Sequence, residues 1–206
     1  MTAFRAAATT RMRIATVALC LFAAPSLASA AAPMATGGLT SQPIGHYEFC
    51  KANLAECSIR PRDEGPLALT PALMRQLKSV NAFVNHSIKP MNDFDIYGKD
   101  EVWAYPDQIG AGDCEDYVLE KRRMLAAKGI SLSNLLITVV RKPDGEGHAV
   151  LSVRTSQGDY ILDNLSESVK LWTETPYRFL KRQASEHTGR WVTIRGESTT
   201  LVGSVK

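Results

Sequence analysis

Beyond residue 30 the sequence has no apolar run that could cross a membrane, and it contains no internal repeat, low-complexity tract or long linker. A transmembrane helix requires about 20 consecutive apolar residues. A chain of 206 residues without internal boundaries has enough residues for one domain with a real hydrophobic core. We therefore expect a single domain.

The same part of the chain lacks an excess of charge of either sign. The whole sequence has 24 basic and 21 acidic side chains, and Arg5, Arg11 and Arg13 are the only charged residues before position 31. The remainder therefore carries 21 basic and 21 acidic side chains. Binding to a phosphate backbone requires a clustered basic surface. The charge balance thus argues against a nucleic-acid-binding protein.

The first 30 residues have the layout of a secretory signal peptide. The arginines are followed by an apolar run at 14–24 and by the small-residue cleavage site Ala28-Ser29-Ala30. The run is too short for a permanent anchor, and the bulky Leu19 argues against lipid attachment at Cys20. We predict a periplasmic or secreted protein with no membrane span after cleavage. The predicted organisation is a signal peptide at 1–30, a flexible leader at 31–45 and a single domain at 46–200.

Cysteine is scarce after the predicted cleavage site, where Cys50, Cys57 and Cys114 remain. An odd number of cysteines in an oxidising compartment indicates one disulfide and one free thiol. We predict a local bridge between Cys50 and Cys57, with two unpaired thiols as the alternative. Cys114 is then the free thiol.

The pattern of apolar residues predicts helices first and strands afterwards. Helical spacing over 71–88 follows the capping sequence Thr70-Pro71, and a second helix is predicted from Asp113 to Gly129. Short segments rich in β-branched and apolar residues come next, separated by turn sequences. They predict strands at 135–140, 148–155, 159–164 and 191–195. This order indicates the α+β class, with antiparallel strands.

Cys114 lies where the glycine-rich loop Gly110-Ala111-Gly112-Asp113 gives way to the second helix. The unsatisfied N–H groups and the dipole at a helix N-terminus favour the thiolate, which is the nucleophilic form of cysteine. The same N–H groups can stabilise an oxyanion. The pattern alone leaves open a second interpretation, a small buried core residue.

A nucleophilic thiol requires a base, and the sequence offers four histidines. We expect His46 in the leader and His86 on a helix to be solvated, and His187 falls in a polar stretch. His148 opens a strand directly after a glycine-containing turn, where it could reach a neighbouring helix end. A histidine at the strand rim without a catalytic role fits the same pattern.

A third residue is needed to orient the imidazole. The strand at 159–164 should pair with the strand at 148–155, which places Asp163 opposite residues 150–152, near His148 but not in register with it. A β-bulge could close the gap. Asn164 competes for the same role, and the sequence does not separate the two.

Three blocks in this order resemble the bacterial transglutaminase-like cysteine peptidases, which include the LapG-type periplasmic proteases that release surface adhesins. The blocks are Gly112-Asp113-Cys114-Glu115-Asp116-Tyr117, Gly147-His148-Ala149-Val150-Leu151 and Leu162-Asp163-Asn164. The resemblance implies a papain-like fold with N-terminal helices packed on an antiparallel sheet. It also implies Cys114 as the nucleophile, His148 as the base and acid, and Asp163 as the orienting residue.

For the reaction, the resemblance implies hydrolysis of an amide bond through a thioester. The expected substrate is a surface or periplasmic protein, and the expected regulator is a membrane-bound receptor. Two alternatives stay open. One is a transglutaminase or deamidase acting on glutamine side chains, and the other is a non-catalytic binding domain with the same fold.

Asp113, Glu115 and Asp116 place three carboxyl groups within one helical turn of Cys114. Like charge raises the pKa of a thiol, and a bound Ca²⁺, which takes oxygen ligands, would offset this effect. The resemblance to LapG-type proteases implies that the two acidic residues flanking the cysteine, Asp113 and Glu115, hold calcium. Simple capping of the first helical turn is the alternative.

Overall fold

The computed structural model describes residues 1–2 and 32–195. The predicted signal peptide, with its cleavage site and Cys20, lies outside the described residues apart from Met1 and Thr2. The helices are α1 (Ile44–Ala52), α2 (Leu54–Cys57), α3 (Pro71–Ser87), α4 (Asp93–Tyr97) and α5 (Cys114–Ala127). The strands are β1 (Thr36–Thr40), β2 (Lys89–Pro90), β3 (Ala111–Gly112), β4 (Leu135–Arg141), β5 (Gly147–Thr155), β6 (Gly158–Asp163), β7 (Ser166–Leu171), β8 (Arg178–Ala184) and β9 (His187–Ile194). Within the described part, none of the helices has the length and apolar character that a membrane span needs.

The longest helix, α3, forms where the apolar periodicity predicted it. The Thr70 side chain caps the N-terminus by accepting a hydrogen bond from the Leu73 N–H at 3.1 Å. Pro71 occupies the first position, where a missing N–H costs no intrahelical hydrogen bond. The buried side chains on its inner face recur at helical spacing: Leu77, Val80, Asn81 and Val84. The prediction of a helix over 71–88 is confirmed.

Helix α5 begins at Cys114 and packs against α3 and β5. Its chain leaves the helix through Gly129, whose φ of 88° lies in the left-handed region that favours glycine. The prediction of a helix between Asp113 and Gly129 is therefore confirmed. Because the helix packs on the middle of the sheet, its N-terminus is held close to the strands.

The main sheet is antiparallel, with the strand order β1-β9-β8-β4-β5-β6-β7. The four strands predicted from the sequence are confirmed to within four residues at each end. Strands β7 and β8 were not predicted, because most of their residues are polar. Pairing with neighbouring strands, rather than local propensity, determines their conformation.

Buried residues lie on both faces of the sheet. Helices packed against an antiparallel sheet confirm the α+β class. The larger core lies between the sheet and the helices and includes Leu77, Tyr117, Leu125, Leu151 and Trp191. A smaller group of buried residues lies on the opposite face, and we call it the outer cluster. It consists of Met34, Val140, Val150, Ile161, Phe179 and Ile194.

The segment at 31–45 differs from the flexible leader predicted for it. Residues 36–40 form β1, which pairs with β9 at the sheet edge, and α1 begins at Ile44. Met34 is buried, and its N–H donates to Asp159 Oδ2 at 2.7 Å. The sequence around Gly37 and Gly38 has few residues that favour a strand. Its strand conformation comes from pairing with a segment about 150 residues away.

The predicted disulfide between Cys50 and Cys57 is present and joins α1 to α2. The Cα atoms of the two cysteines are 5.5 Å apart. Helix α2 packs closely on β9, since a Cβ at Gly189 would lie 2.5 Å from the Cys57 carbonyl oxygen. The bridge therefore fixes the N-terminal helices on the sheet edge and leaves Cys114 as the free cysteine among the described residues.

The prediction that His46 is solvated is wrong, because its side chain is buried beside the disulfide. Its ring lies edge-on to Trp103 and Trp191, with ring centroids 5.2 and 5.3 Å away. Burial, followed by the positive charge of Arg122, lowers the pKa of His46 to about 4. The neutral imidazole is therefore part of the core.

This environment predicts that the domain loses stability in mild acid. The pKa of His46 is about 4 in the folded protein against 6.5 unfolded, so between these values the unfolded chain binds the proton more readily. The stabilising contribution is complete above pH 6.5 and is lost as the pH falls towards 4. It amounts to about 3 kcal/mol at most.

The measurement is the free energy of unfolding in urea as a function of pH. In His46→Gln the slope between pH 4 and 6.5 should become smaller, whereas His86→Gln, at an exposed position on α3, should retain the wild-type slope. An unchanged slope in His46→Gln would show that another group controls the acid sensitivity.

Candidate active site

Cys114 is the first residue of α5, immediately after the short strand β3 and Asp113. Its side chain is half-buried, and the nearby backbone of Ala149 in β5 acts to lower the pKa of its thiol. The thiol donates to Glu115 Oε2 at 3.0 Å. The sulfur is thus held between the tip of a helix and the strand residue that follows His148.

His148 and Asp163 are in direct contact. His148 Nε2 and Asp163 Oδ1 are 2.9 Å apart, and both side chains are buried. The β5–β6 pairing is regular over its length and places Leu151 opposite Leu162. Asp163 therefore lies diagonally across from His148, within reach of long side chains on one face of the sheet. No β-bulge is required.

The structure distinguishes the two candidates for the orienting residue by their contacts. Asp163 Oδ1 accepts from His148 and also from the Leu165 N–H at 3.0 Å. Asn164 makes no hydrogen bond to His148 within the described residues, and its Oδ1 is buried without a partner. Because Nε2 of His148 is engaged by Asp163, Nδ1 is the ring nitrogen available to another group.

Cys114 begins α5, and His148 lies on β5, the strand against which α5 packs. No hydrogen bond joins the two side chains within the described residues; the thiol is hydrogen-bonded to Glu115 instead. Burial, the negative charge of Glu115 and this hydrogen bond raise the pKa of the Cys114 thiol well above its usual value. The contact with Ala149 acts in the opposite direction. The like-charge effect expected from the sequence is therefore present.

The carboxyl groups around the thiol are themselves poorly accommodated as anions. Burial, followed by the charge of Asp113, raises the pKa of Glu115 to about 9. Burial raises the pKa of Asp116 to about 7 and that of Asp93 to about 6. Such a cluster favours either bound protons or a bound cation.

Asp93, Asp113 and Asp116 each offer a carboxylate oxygen, and these oxygens lie within 4.8 Å of one another. One oxygen on each of the three, Asp93 Oδ1, Asp113 Oδ1 and Asp116 Oδ2, is buried without a hydrogen-bond partner. The other oxygens of Asp93 and Asp116 accept from the backbone N–H groups of Val102 and Ala104. These backbone bonds fix the carboxylates of Asp93 and Asp116 and leave one oxygen of each without a partner.

This arrangement fits a hard divalent cation such as Ca²⁺, which binds oxygen ligands. Of the two predicted ligands, Asp113 belongs to the converging set, whereas the Glu115 carboxylate contacts the thiol. Glu115 also forms a second close group with Asp113 and Cys114. Gly112 is required beside the cluster, since a Cβ there would lie 2.3 Å from Asp116 Oδ2.

An open cleft with a volume of about 460 Å³ adjoins the site. It is bounded by Gly112 and Asp113, which precede the cysteine, and by Asn164, which follows Asp163. Its remaining lining comes from Pro90, Met91, Asn92 and Asp95. The cleft therefore extends from the nucleophile side to the aspartate side of the site.

The family model described as "Bacterial transglutaminase-like cysteine proteinase BTLCP" matches residues 36–199. The chain belongs to this family. It is a transglutaminase-like cysteine peptidase with the corresponding mixed fold of helices and antiparallel sheet.

Solved structures of LapG from Legionella pneumophila are similar to this peptidase. The calcium-bound form is 29% identical, with a TM-score of 0.51, and the match covers 66% of this chain and 77% of that one. The EGTA-treated form is 28% identical, with a TM-score of 0.51 and coverage of 64% and 72%. No curated protein matches the sequence.

Two residues at the site of the peptidase were not found from the sequence. Asp93 precedes Cys114 by 21 positions, on a short helix capped by Asn92. Tyr177 donates from its hydroxyl to Asp163 Oδ2 at 2.6 Å. Nothing in the local pattern around either residue indicates this contact, because α4 and the β7–β8 connection reach the site through the course of the chain between distant elements.

Proposed function

We propose that this peptidase hydrolyses a peptide bond in a surface or periplasmic protein through Cys114, His148 and Asp163. The observation that carries the proposal is the contact of His148 Nε2 with Asp163. The residue after His148, Ala149, has its backbone close enough to Cys114 to lower the pKa of the thiol. Nδ1 of the His148 ring is then the nitrogen left to accept the proton of the thiol. This arrangement matches a nucleophile, a base and an orienting carboxylate.

In the proposed reaction, the thiol turns from Glu115 towards the imidazole, and His148 takes its proton. The sulfur attacks the carbonyl carbon, and backbone N–H groups at the start of α5 bind the oxyanion. The C–N bond breaks as His148 gives the proton to the leaving amine, which leaves a thioester on Cys114. Water then attacks the thioester carbonyl with its proton passing to His148. The C–S bond breaks, the acid product leaves, and His148 returns the proton to the sulfur of Cys114.

We further propose that Asp93, Asp113 and Asp116 hold Ca²⁺. The support is the close approach of the three carboxylates, the unpartnered oxygen on each and the existence of a calcium-bound form of the similar LapG structure. A bound Ca²⁺ would supply positive charge beside the thiol and so favour its ionised form. Glu115, predicted as a ligand from the sequence, is assigned here to the thiol contact.

We also propose that the protein is exported by means of a cleaved signal peptide and that a membrane-bound protein regulates it. Both come from the sequence and its family resemblance, and a protein substrate is what the peptidase family implies. The open cleft supports binding of an extended chain segment, since it passes both the cysteine side and the aspartate side of the site.

The direct test is the rate at which iodoacetamide alkylates Cys114 at neutral pH in the presence of calcium, with the labelled peptide identified by mass spectrometry. A thiol that is deprotonated by an imidazole should react quickly, and His148→Gln should slow alkylation by about tenfold or more. His86→Gln, an exposed histidine, is the matched control and should react like the wild type. Equal rates in all three proteins would contradict the proposed pair.

The acyl acceptor is tested separately. The enzyme is incubated with a labelled primary amine and a peptide that the wild type cleaves. In a parallel incubation, a glutamine-containing peptide replaces that peptide. Hydrolysis predicts new peptide termini and no amine incorporated into glutamine. Incorporation of the amine would assign the transglutaminase activity instead.

A further inference from the structure

Tyr177 lies in the connection between β7 and β8, which are far apart in the sheet. Strands β6, β5 and β4 separate them, so the connection crosses the sheet on its way to β8. It passes on the face of the outer cluster, where Trp172 and Tyr177 are packed. This path brings Tyr177 over the ends of β5 and β6 that carry His148 and Asp163.

Tyr177 contacts both members of that pair. Its hydroxyl donates to Asp163 Oδ2 at 2.6 Å. Its ring lies edge-on to the His148 imidazole, with the centroids 5.5 Å apart and an angle of 63° between the planes. One side chain therefore limits both the rotation of the carboxylate and the tilt of the imidazole.

The hydrogen bonds of Asp163 show what the hydroxyl adds. Oδ1 accepts from His148 and from the Leu165 N–H, and the Asp163 N–H donates to Asn81 Oδ1. Within the described residues, Tyr177 is the hydrogen-bond donor to Oδ2. Without this bond, the carboxylate would be fixed through one oxygen only and could turn away from the imidazole.

The charges around the pair are consistent with this arrangement. Burial raises the pKa of Asp163, but the hydrogen bonds from His148 and Tyr177 outweigh it, and the pKa lies below its usual value. Burial and the hydrogen bond to Asp163 raise the pKa of Tyr177, so its hydroxyl keeps the proton that it donates. On α5, burial lowers the pKa of Lys121 to about 7, so this lysine carries only part of a positive charge at neutral pH; its Nζ has no hydrogen-bond partner in the part of the chain described.

We propose that Tyr177 is a positioning residue that holds the Asp163 carboxylate in the orientation in which it binds His148. The inference rests on the proposed function, because orientation of His148 has a consequence only if the imidazole serves Cys114. It assigns Tyr177 a role in the rate of the chemical step and none in binding the substrate.

The test that needs no substrate uses Tyr177→Phe, which removes the hydroxyl and retains the ring. The His148 Nε2–H is observed by NMR, assigned with His148→Gln, and its exchange with solvent is measured. Exchange should be about tenfold faster in Tyr177→Phe, because the acceptor of this hydrogen bond is no longer fixed. Tyr160→Phe is the matched control, at a half-buried tyrosine of β6, and should stay within about twofold of the wild type.

The kinetic arm uses the peptide that the wild type cleaves fastest in a proteome-derived peptide library. In Tyr177→Phe, kcat should fall about tenfold while KM stays within about twofold, since only the catalytic geometry is altered. If Tyr177 had a purely structural role, Tyr177→Phe would lower thermal stability, and the folded fraction would keep the wild-type kcat and KM.

The two proposals fail in different ways. If the wild type cleaves no peptide and Cys114 is unreactive, the proposed function is wrong, and the exchange measurement still decides whether Tyr177 holds the pair. If exchange and kcat in Tyr177→Phe both match Tyr160→Phe, the positioning role is refuted, whatever the activity of the wild type.

Discussion

Replacing Cys114 with alanine is expected to abolish proteolysis and to leave the fold intact. The sulfur is the atom that forms the proposed thioester, so no other group at the site can replace it. Loss of a nucleophile lowers kcat by about 10⁴-fold or more. The side chain is small and half-buried, and the change in the free energy of unfolding should stay within about 1 kcal/mol.

The measurement compares the surface and secreted proteins of cells that carry the wild type or Cys114→Ala, with new protein termini identified by mass spectrometry. Cys114→Ser is the matched variant, because it retains a hydrogen-bond donor towards Glu115 and should be equally inactive. Termini that persist in both variants would have to come from another protease. Persistent cleavage by the purified Cys114→Ala protein would end the cysteine-peptidase mechanism for this site.

Removal of calcium is expected to lower both the melting temperature and the reactivity of Cys114. Burial, followed by nearby negative charge, raises the pKa values of Asp93 and Asp116, and each has an oxygen without a hydrogen-bond partner. A cation would offset the cost of burying these charges, which otherwise opposes folding. At a calcium concentration about 100 times the Kd, the stabilisation is about 2.7 kcal/mol. For a domain of this size that corresponds to a shift of roughly 5–10 °C on addition of a chelator.

The ligand set is tested with two aspartates that are two positions apart. Asp93→Asn removes one of the three converging carboxylates and should make the melting temperature insensitive to EGTA. Asp95→Asn changes an exposed carboxylate outside that group and should leave the EGTA response intact. A full response in Asp93→Asn would place the calcium elsewhere, and no response in the wild type would remove calcium from the proposal.

The parts of the fold that follow from local sequence were predicted correctly. Helix α3 has its own cap and a continuous apolar face, and the β5–β6 hairpin has a turn that determines its register. The register brings Asp163 close to His148, so this contact could be predicted from the sequence. The sequence analysis did not predict that the two side chains meet diagonally across the two strands, which makes a β-bulge unnecessary.

The parts that depend on distant contacts were not predicted. The residues of β1 form a strand because β9 lies beside them, and His46 is buried because Trp103 and Trp191 enclose it. Asp93 lies close to Asp113 and Asp116 because the chain after α3, with the short helix α4, folds back towards the start of α5. In each case, the determining partner lies far along the chain, where periodicity and capping carry no information.

The pairing of the first strand with the last has a consequence for how the chain matures. Thr36 lies opposite Ile194, and the Arg195 N–H donates to the Ala35 carbonyl at 2.8 Å. Contacts of such long sequence separation form late, because the chain entropy of closing the loop must be overcome first. The sheet therefore cannot be completed on the ribosome until the chain has emerged as far as Ile194. Until β9 has emerged, β1 has no partner strand, and this edge of the sheet stays incomplete.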